Sequence, residues 1–325
     1  MQHYDFIKNL YTINRPLNVS WDITNKCNLS CKHCFNYSGD AKHHDFKQEF
    51  SRSKALDIAS QLVEMKISQC CICGGETTLC PYLIDIITIL SSGGVKTNIV
   101  SNGLLIDDGY AYRLKKSGVN NVQISVDGLG YQHDKFRNKE GAFDKAITAI
   151  KHLKNHKVDT LISFCPNKFN YKGIDDYIEY MCALGCFSIR MMPLLPLGRG
   201  KENYEDLCLT DWEQFAFIGK IVEIRQKYPE IKIEWGDPLE HITLVMVNKR
   251  RTPAIMGILS NGDISVTPYL SISVANVYQN SLKEIWDLGY RKIWQKKEIV
   301  EIIKNIYTIH DLGILSQKEF CFELL

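Results

Sequence analysis

Two kinds of hydrophobic pattern alternate along the chain. Short β-branched runs at Leu17 to Ile23, Ile67 to Cys73, Val95 to Val100, Val122 to Val126, Thr160 to Phe164 and Phe187 to Met191 read as strands. Between and after them, apolar residues recur at helical spacing near Ser53 to Met65, Pro81 to Leu90, Asp108 to Lys116, Ala142 to Leu153, Ile174 to Leu184 and Asp211 to Lys227. In the first of these, Leu56, Ala59, Leu62 and Val63 form the predicted buried stripe. In the fifth, Ile174, Tyr177, Ile178, Met181 and Leu184 share a face, and Gly185 stands where a left-handed C-terminal residue belongs. Six β-then-α units predict a parallel sheet, because each parallel pair needs a long crossover. Six units rather than eight predict an α/β fold built as a partial (β/α)6 TIM-like barrel. From about residue 232 the pattern shifts to shorter strands, a hairpin signal at Asn261 to Asp263, and helical segments from Leu282. The expected organisation is an N-terminal segment (1–16), the barrel (17–231) and a small α+β extension (232–325).

Composition narrows the class. Of 325 residues, 45% are hydrophobic and 23% charged, globular values that exclude a disordered or fibrous chain. A net charge of +2 excludes a nucleic-acid sheath. The basic stretches at Lys249 to Arg251 and Arg291 to Lys297 read as solvated faces, so no nucleic-acid partner is expected. The first residues lack a secretory apolar core, and no apolar run approaches the roughly 20 residues that span a bilayer. With twelve cysteines, the expected setting is the reducing cytoplasm, away from membranes.

In a barrel of this type the chemistry gathers in the loops after the strands. The loop after the first strand carries Cys27, Cys31 and Cys34 within eight residues. Three thiolates on one polar loop suit three corners of a cubane iron–sulfur cluster, leaving the fourth iron open. Structural zinc would need a second matching pair, which Cys70, Cys71 and Cys73 do not give.

This triplet has the form C-x3-C-x-aromatic-C, with His33 in the aromatic slot, and resembles the signature of the radical S-adenosylmethionine (SAM) enzymes. Other motifs fall in the family's order. Gly74, Gly75 and Glu76 resemble the GGE motif that receives the amino group of SAM. Ser101 to Gly103, with Asn102, end the third strand. Ser125 and Asp127 in ISVDG resemble the ribose-side segment; His133, Asp134 and Arg137 follow; and MMPLLPLGRG, with Met192, resembles the backbone that passes the adenine. The resemblance implies one [4Fe–4S] cluster, SAM, and a low-potential electron donor such as a flavodoxin or ferredoxin. It also implies reductive cleavage of SAM to a 5′-deoxyadenosyl radical.

The last third resembles the SPASM or twitch extension of the peptide-modifying branch. It lacks that domain's cysteines: Met256 and Thr267 stand near expected ligand positions, and only Cys321 remains. The extension is therefore expected without auxiliary clusters. The expected substrate is a ribosomally made peptide, altered by epimerisation or by cross-linking through carbon. No separate leader-recognition domain is expected ahead of Leu17. A sugar or cofactor precursor is the alternative substrate, and a non-catalytic iron–sulfur protein is the alternative of another class. A redox-neutral outcome would suit a thiol hydrogen donor, for which Cys165, Cys208 and Cys321 are the candidates. Cys70, Cys71, Cys182 and Cys186 read as core.

Overall fold

The structure is a computed structural model describing residues 14–240, 242–243, 253–315, 320–322 and 324. Most of the expected N-terminal segment and the basic triplet Lys249 to Arg251 lie outside these residues. Seven strands follow in order: β1 (Asn18–Asp22), β2 (Gln69–Cys73), β3 (Lys96–Ser101), β4 (Asn121–Ser125), β5 (Asp159–Phe164), β6 (Ser188–Met191) and β7 (Lys232–Trp235). Each pairs in parallel with the next. The principal crossover helices are α1 (Arg52–Glu64), α2 (Leu83–Ser92), α3 (Asp108–Ser117), α4 (Tyr131–Arg137), α5 (Ala142–Asn155), α6 (Ile174–Ala183), α7 (Gly198–Glu202), α8 (Tyr204–Leu207) and α9 (Asp211–Lys227).

The six expected units are present, and Lys232–Trp235, read as the start of the extension, is a seventh strand parallel to β6. β8 (Ile255–Ile258) pairs in parallel with the other side of β1, then turns antiparallel into β9 (Asp263–Ser265) and β10 (Ile272–Asn276). Gly262, with φ of +92°, makes the turn expected at Asn261 to Asp263. After α10 (Leu282–Leu288), α11 (Lys297–Ile303) and α12 (Ile309–Leu315), β11 (Phe320–Cys321) pairs with β10. The result is one eleven-stranded sheet with β7 and β11 at its edges, an open barrel rather than a closed one.

The core lies between the strands and their helices. Trp21, Ile72, Ile99, Ile124, Ile162 and Ile189 are fully buried and alternate with more accessible residues, as the two-residue strand period requires. α1 begins at the cap of Ser51, whose hydroxyl accepts the Lys54 N–H at 3.2 Å. Its buried face is Ala55, Ile58, Ala59 and Leu62, turned slightly from the expected stripe, so Leu56 and Val63 are only partly covered. α6 buries Ile174, Tyr177, Ile178 and Met181, and Gly185 has the expected positive φ of +78°.

The opposite face of the strands lines the barrel lumen and is polar. Ser20, Cys71 and Asn98 are register neighbours, as are Asp22 with Cys73 and Ser163 with Arg190. A closed TIM barrel fills this space with branched apolar layers; an open one with polar walls leaves it for a ligand.

Candidate active site

The loop between β1 and α1 holds the three cysteines, and its backbone is pinned from three directions. Glu49 accepts from the Thr24 hydroxyl at 2.9 Å and from the Asn25 N–H at 2.7 Å. Arg199, at the start of α7, donates to the Cys31 and Ser38 carbonyls, both at 3.0 Å. Asn203 donates to the Lys32 carbonyl at 3.2 Å. His33 stacks on Phe136 of α4 with ring centres 4.0 Å apart and planes 7° apart. Its burial holds the imidazole neutral, well below its ordinary range, so it behaves as the aromatic ring its slot calls for.

Gly74 and Gly75, at the end of β2, press against this loop. A Cβ at Gly75 would lie 2.1 Å from the Lys26 carbonyl oxygen, and one at Gly74, whose φ is +126°, would lie 2.2 Å from the Thr24 oxygen. The Gly75 and Glu76 N–H groups donate to the Thr24 and Lys26 carbonyls at 2.6 and 2.8 Å. In this structure, then, the glycines permit a close approach of two loops to each other.

Glu76 is buried and surrounded by donors. Its Oε1 accepts from the Thr78 N–H and hydroxyl at 3.1 and 2.6 Å and from the Ser101 hydroxyl at 2.7 Å; its Oε2 accepts from the Asn102 N–H at 2.7 Å. The Asn102 side chain then donates to Asn28 in the cysteine loop at 2.7 Å. One carboxylate thus ties the ends of β2 and β3 together, and Asn102 ties both to the cysteines.

At the end of β4, the buried Asp127 forms an ion pair with Arg137 of α4 at 2.6 Å, and its other oxygen accepts the Cys165 N–H at 2.8 Å. Its own N–H donates to Nδ1 of His133 at 3.0 Å, a ring that burial pushes down to about 3 and keeps neutral. Arg137 also reaches the Cys31 sulfur at 3.8 Å. Ser125 accepts from Ser163 at 3.2 Å, and the Met192 N–H donates to the Phe164 carbonyl at 3.1 Å.

Burial pushes the Cys27 thiol up to about 12 and raises Cys31 as well, although Arg137 opposes the rise at Cys31. Among the described residues, no three His, Cys, Asp or Glu side chains stand close enough together to hold a metal ion. What fits a cluster is the donor chemistry: three thiols on one braced loop that must lose their protons on loading.

The three candidate hydrogen donors are not brought together. Cys165 and Cys208 both pack against the small cluster of Phe136, Leu194, Tyr204 and Leu207. Cys208 also lines a small cleft bounded by Pro193, Leu194, Tyr204, Trp235 and Ile309. Cys321 is exposed on the edge strand β11 and is not part of that cluster. Cys71, expected in the core, instead faces the lumen, its sulfur 3.4 Å from that of Cys73. The contact between the thiols, aided by the Arg190 charge, favours the Cys71 thiolate, and the same contact raises Cys73. The positions that the motifs did not mark are Glu49, Phe136, Asn203 and Arg190. Arg199, which the sequence offers as either a solvated loop charge or a substrate or cofactor contact, braces the cysteine loop.

An open parallel α/β barrel with a cysteine loop braced over its strand ends defines a class of cluster-bearing barrel enzymes. Residues 21–181 match the family model described as Radical SAM superfamily, and the chain belongs to that superfamily, whose cofactors are a [4Fe–4S] cluster and SAM. The chain is 27% identical over 277 residues to the sporulation killing factor maturation protein SkfB of Bacillus subtilis, covering 83% of this chain and 64% of that one. It is 30% identical over 227 residues to the Fe-coproporphyrin III synthase of Methanosarcina barkeri, covering 70% and 55%. The chain thus spans less than two thirds of both relatives. Its fold resembles that of Streptococcus suis SuiB bound to SAM, with a TM-score of 0.72 at 16% identity over 92% of this chain and 71% of that one. SuiB has also been solved with its precursor peptide SuiA. No helix among the described residues is long and apolar enough to cross a membrane.

Proposed function

We propose that this chain is a radical SAM enzyme acting on a residue of a ribosomally made peptide, by epimerisation or by forming a cross-link through carbon. The carrying observation is the bracing of the Cys27, Cys31 and Cys34 loop by the Gly74–Glu76 and Asn102 segments. In this reading the three cysteines hold the cluster. The Gly74–Glu76 segment, Asn102, Ser125, Asp127 and the Met192 backbone form the SAM side. When bound, the cluster and SAM supply one electron and a 5′-deoxyadenosyl radical that takes a hydrogen atom from the substrate. The protein residues position these groups, and the polar lumen receives the substrate.

SkfB, a maturation protein by name, and the SuiA complex of SuiB support a peptide substrate. The Fe-coproporphyrin III synthase relative supports the second reading, a small cofactor precursor. Cys165 and Cys208 are the hydrogen-donor candidates that lie near the strand ends; Cys321 keeps that role only if the chain's edge moves to the site. The barrel runs from Leu17 through Trp235, and the chain from Ile255 onward forms the extension, without auxiliary clusters. The electron donor is a flavodoxin or ferredoxin, and the setting is cytoplasmic, in keeping with twelve free thiols.

The test is anaerobic incubation of the reconstituted chain with SAM and dithionite. 5′-Deoxyadenosine is the expected product. Its absence from a preparation that retains its iron would overturn the enzyme reading and favour a non-catalytic iron–sulfur protein. With peptide present in heavy water, uptake of one deuterium without other mass change reads epimerisation, and loss of two hydrogens reads cross-linking.

A further inference from the structure

An unmatched cation faces the lumen. Arg190 stands on β6 between Ile189 and Met191, which are fully buried in the core, so its side chain lies on the opposite, lumen face. It is exposed there, and among the described residues its guanidinium has no hydrogen-bond or ion-pair partner. The acids beside it in the fold are engaged elsewhere. Glu234, its register neighbour on β7, pairs with Lys232 at 2.5 Å, and Asp237, just beyond β7, accepts the Leu239 N–H at 2.8 Å. Gly236 keeps the approach clear: a Cβ there would lie 3.3 and 3.4 Å from the Arg190 Nε and Nη2 and would crowd them. Two groups from the far side of the open barrel share the space. The Arg190 charge favours the Cys71 thiolate on β2 and opposes the rise that burial gives the hydroxyl of Tyr269, which the extension supplies between β9 and β10.

We propose that this part of the lumen is a subsite for a substrate carboxylate, gripped by the Arg190 guanidinium through two parallel N–H···O bonds. The inference rests on the reading that the lumen receives the substrate; on a peptide, the carboxylate is an acidic side chain or the C-terminus. A guanidinium is a rigid planar fork that matches a carboxylate at two points, and a low-dielectric wall focuses its field on the space in front of it. Ser163 on β5 is the register neighbour of Arg190 on its other side, so the walls nearest the fork are polar but carry no competing charge. A ligand held there lies between β2, β6 and the extension, and its anchored end is fixed while the rest reaches toward the strand ends. The same chemistry would take a small organic acid, so the source of the carboxylate is a question for the experiment.

Cys71 reports on this space without turnover. The cluster-loaded full chain, free of SAM, is alkylated with iodoacetate, an anion, and in parallel with neutral iodoacetamide, and modification of Cys71 and of the exposed Cys321 is followed by peptide mass spectrometry. Both reagents consume the same thiolate, so the ratio of their rates is blind to its ionisation and reads the attraction of the anion alone. At Cys71 the iodoacetate-to-iodoacetamide ratio should exceed that at Cys321 by roughly tenfold. Arg190→Gln should abolish the excess, and Arg190→Lys, which keeps the charge but loses the fork, should retain part of it. Glutarate and a short glutamate-containing peptide should each slow the reaction of iodoacetate with Cys71. Stronger protection by the peptide assigns the carboxylate to a peptide, and stronger protection by glutarate assigns it to a small organic acid; either supports the subsite. Equal ratios at the two cysteines, a ratio that Arg190→Gln leaves unchanged, a Cys71 that neither reagent reaches, or better protection by inorganic phosphate than by both carboxylates overturns it. So does the absence of protection by either carboxylate. 5′-Deoxyadenosine formation by the same preparation with SAM and dithionite is scored separately, so a failure of the enzyme reading is told apart from a failure of the subsite.

Discussion

Glu76 carries more than one assignment at a single carboxylate. With four donors already on its two oxygens, it holds Thr78, Ser101 and Asn102 whether or not SAM is present. Glu76→Gln would turn an amide N–H toward at least one of those donors. The expected cost is about 1–3 kcal/mol of stability, seen as a lower urea midpoint of the cluster-free chain. A residue that acted solely as a SAM ligand would leave that midpoint unchanged. SAM affinity of the reconstituted variant should fall too, because Asn102 and the cysteine loop lose their common anchor. Asp127 and Arg137 follow the same logic, each buried and each the other's charge partner, so truncating either strands the remaining charge.

At the scale of elements, the strands were legible and their junctions less so. β1 to β6 announce themselves because each couples β-branched residues to a neighbouring helical stripe. β7 reads as part of the extension because four residues, Lys232 to Trp235, carry no such signal; its membership follows from pairing with β6. The motif cysteines, glycines and Glu76 could be read directly, since their spacing is local. Their partners could not, because the contacts of Gly75 with Lys26 and of Arg137 with the Cys31 sulfur depend on segments brought together across many intervening residues. Cys71 shows the limit of the two-residue period: alternation separates Cys70 from Cys71 but does not say which face is a core and which a lumen. The lumen also makes β1 sensitive to pH. Burial raises the Asp22 carboxyl to about 6, above its ordinary 3.8. The folded state therefore holds this proton more tightly than the unfolded chain, and the resulting stability is complete below about pH 4 and lost as pH rises through 6. Asp22→Asn keeps the neutral shape, so its unfolding free energy from urea titration should exceed that of the wild type at pH 8, by at most about 3 kcal/mol, with the advantage shrinking toward pH 5. Equal pH dependence in both proteins would mean that the carboxyl is not desolvated.

For the whole molecule, the extension prolongs the barrel sheet through β8 instead of forming a separate layer, and Met256 and Thr267 are buried within it. At these two positions, where the resemblance expects auxiliary ligands, the chain offers a thioether and a hydroxyl. Iron analysis after anaerobic reconstitution should therefore give about four irons per chain; about eight would reveal a second cluster. The bracing of the cysteine loop has a further consequence, for the order in which the protein is made. The loop near residue 30 is gripped by Gly75 and by Arg199 and Asn203, groups that leave the ribosome much later. Until about residue 203 has emerged, the thiols hang on an unsupported segment. Metal delivery must then follow synthesis of the barrel rather than accompany its first strand, and the cell has to keep three early thiols reduced and unclaimed in the meantime.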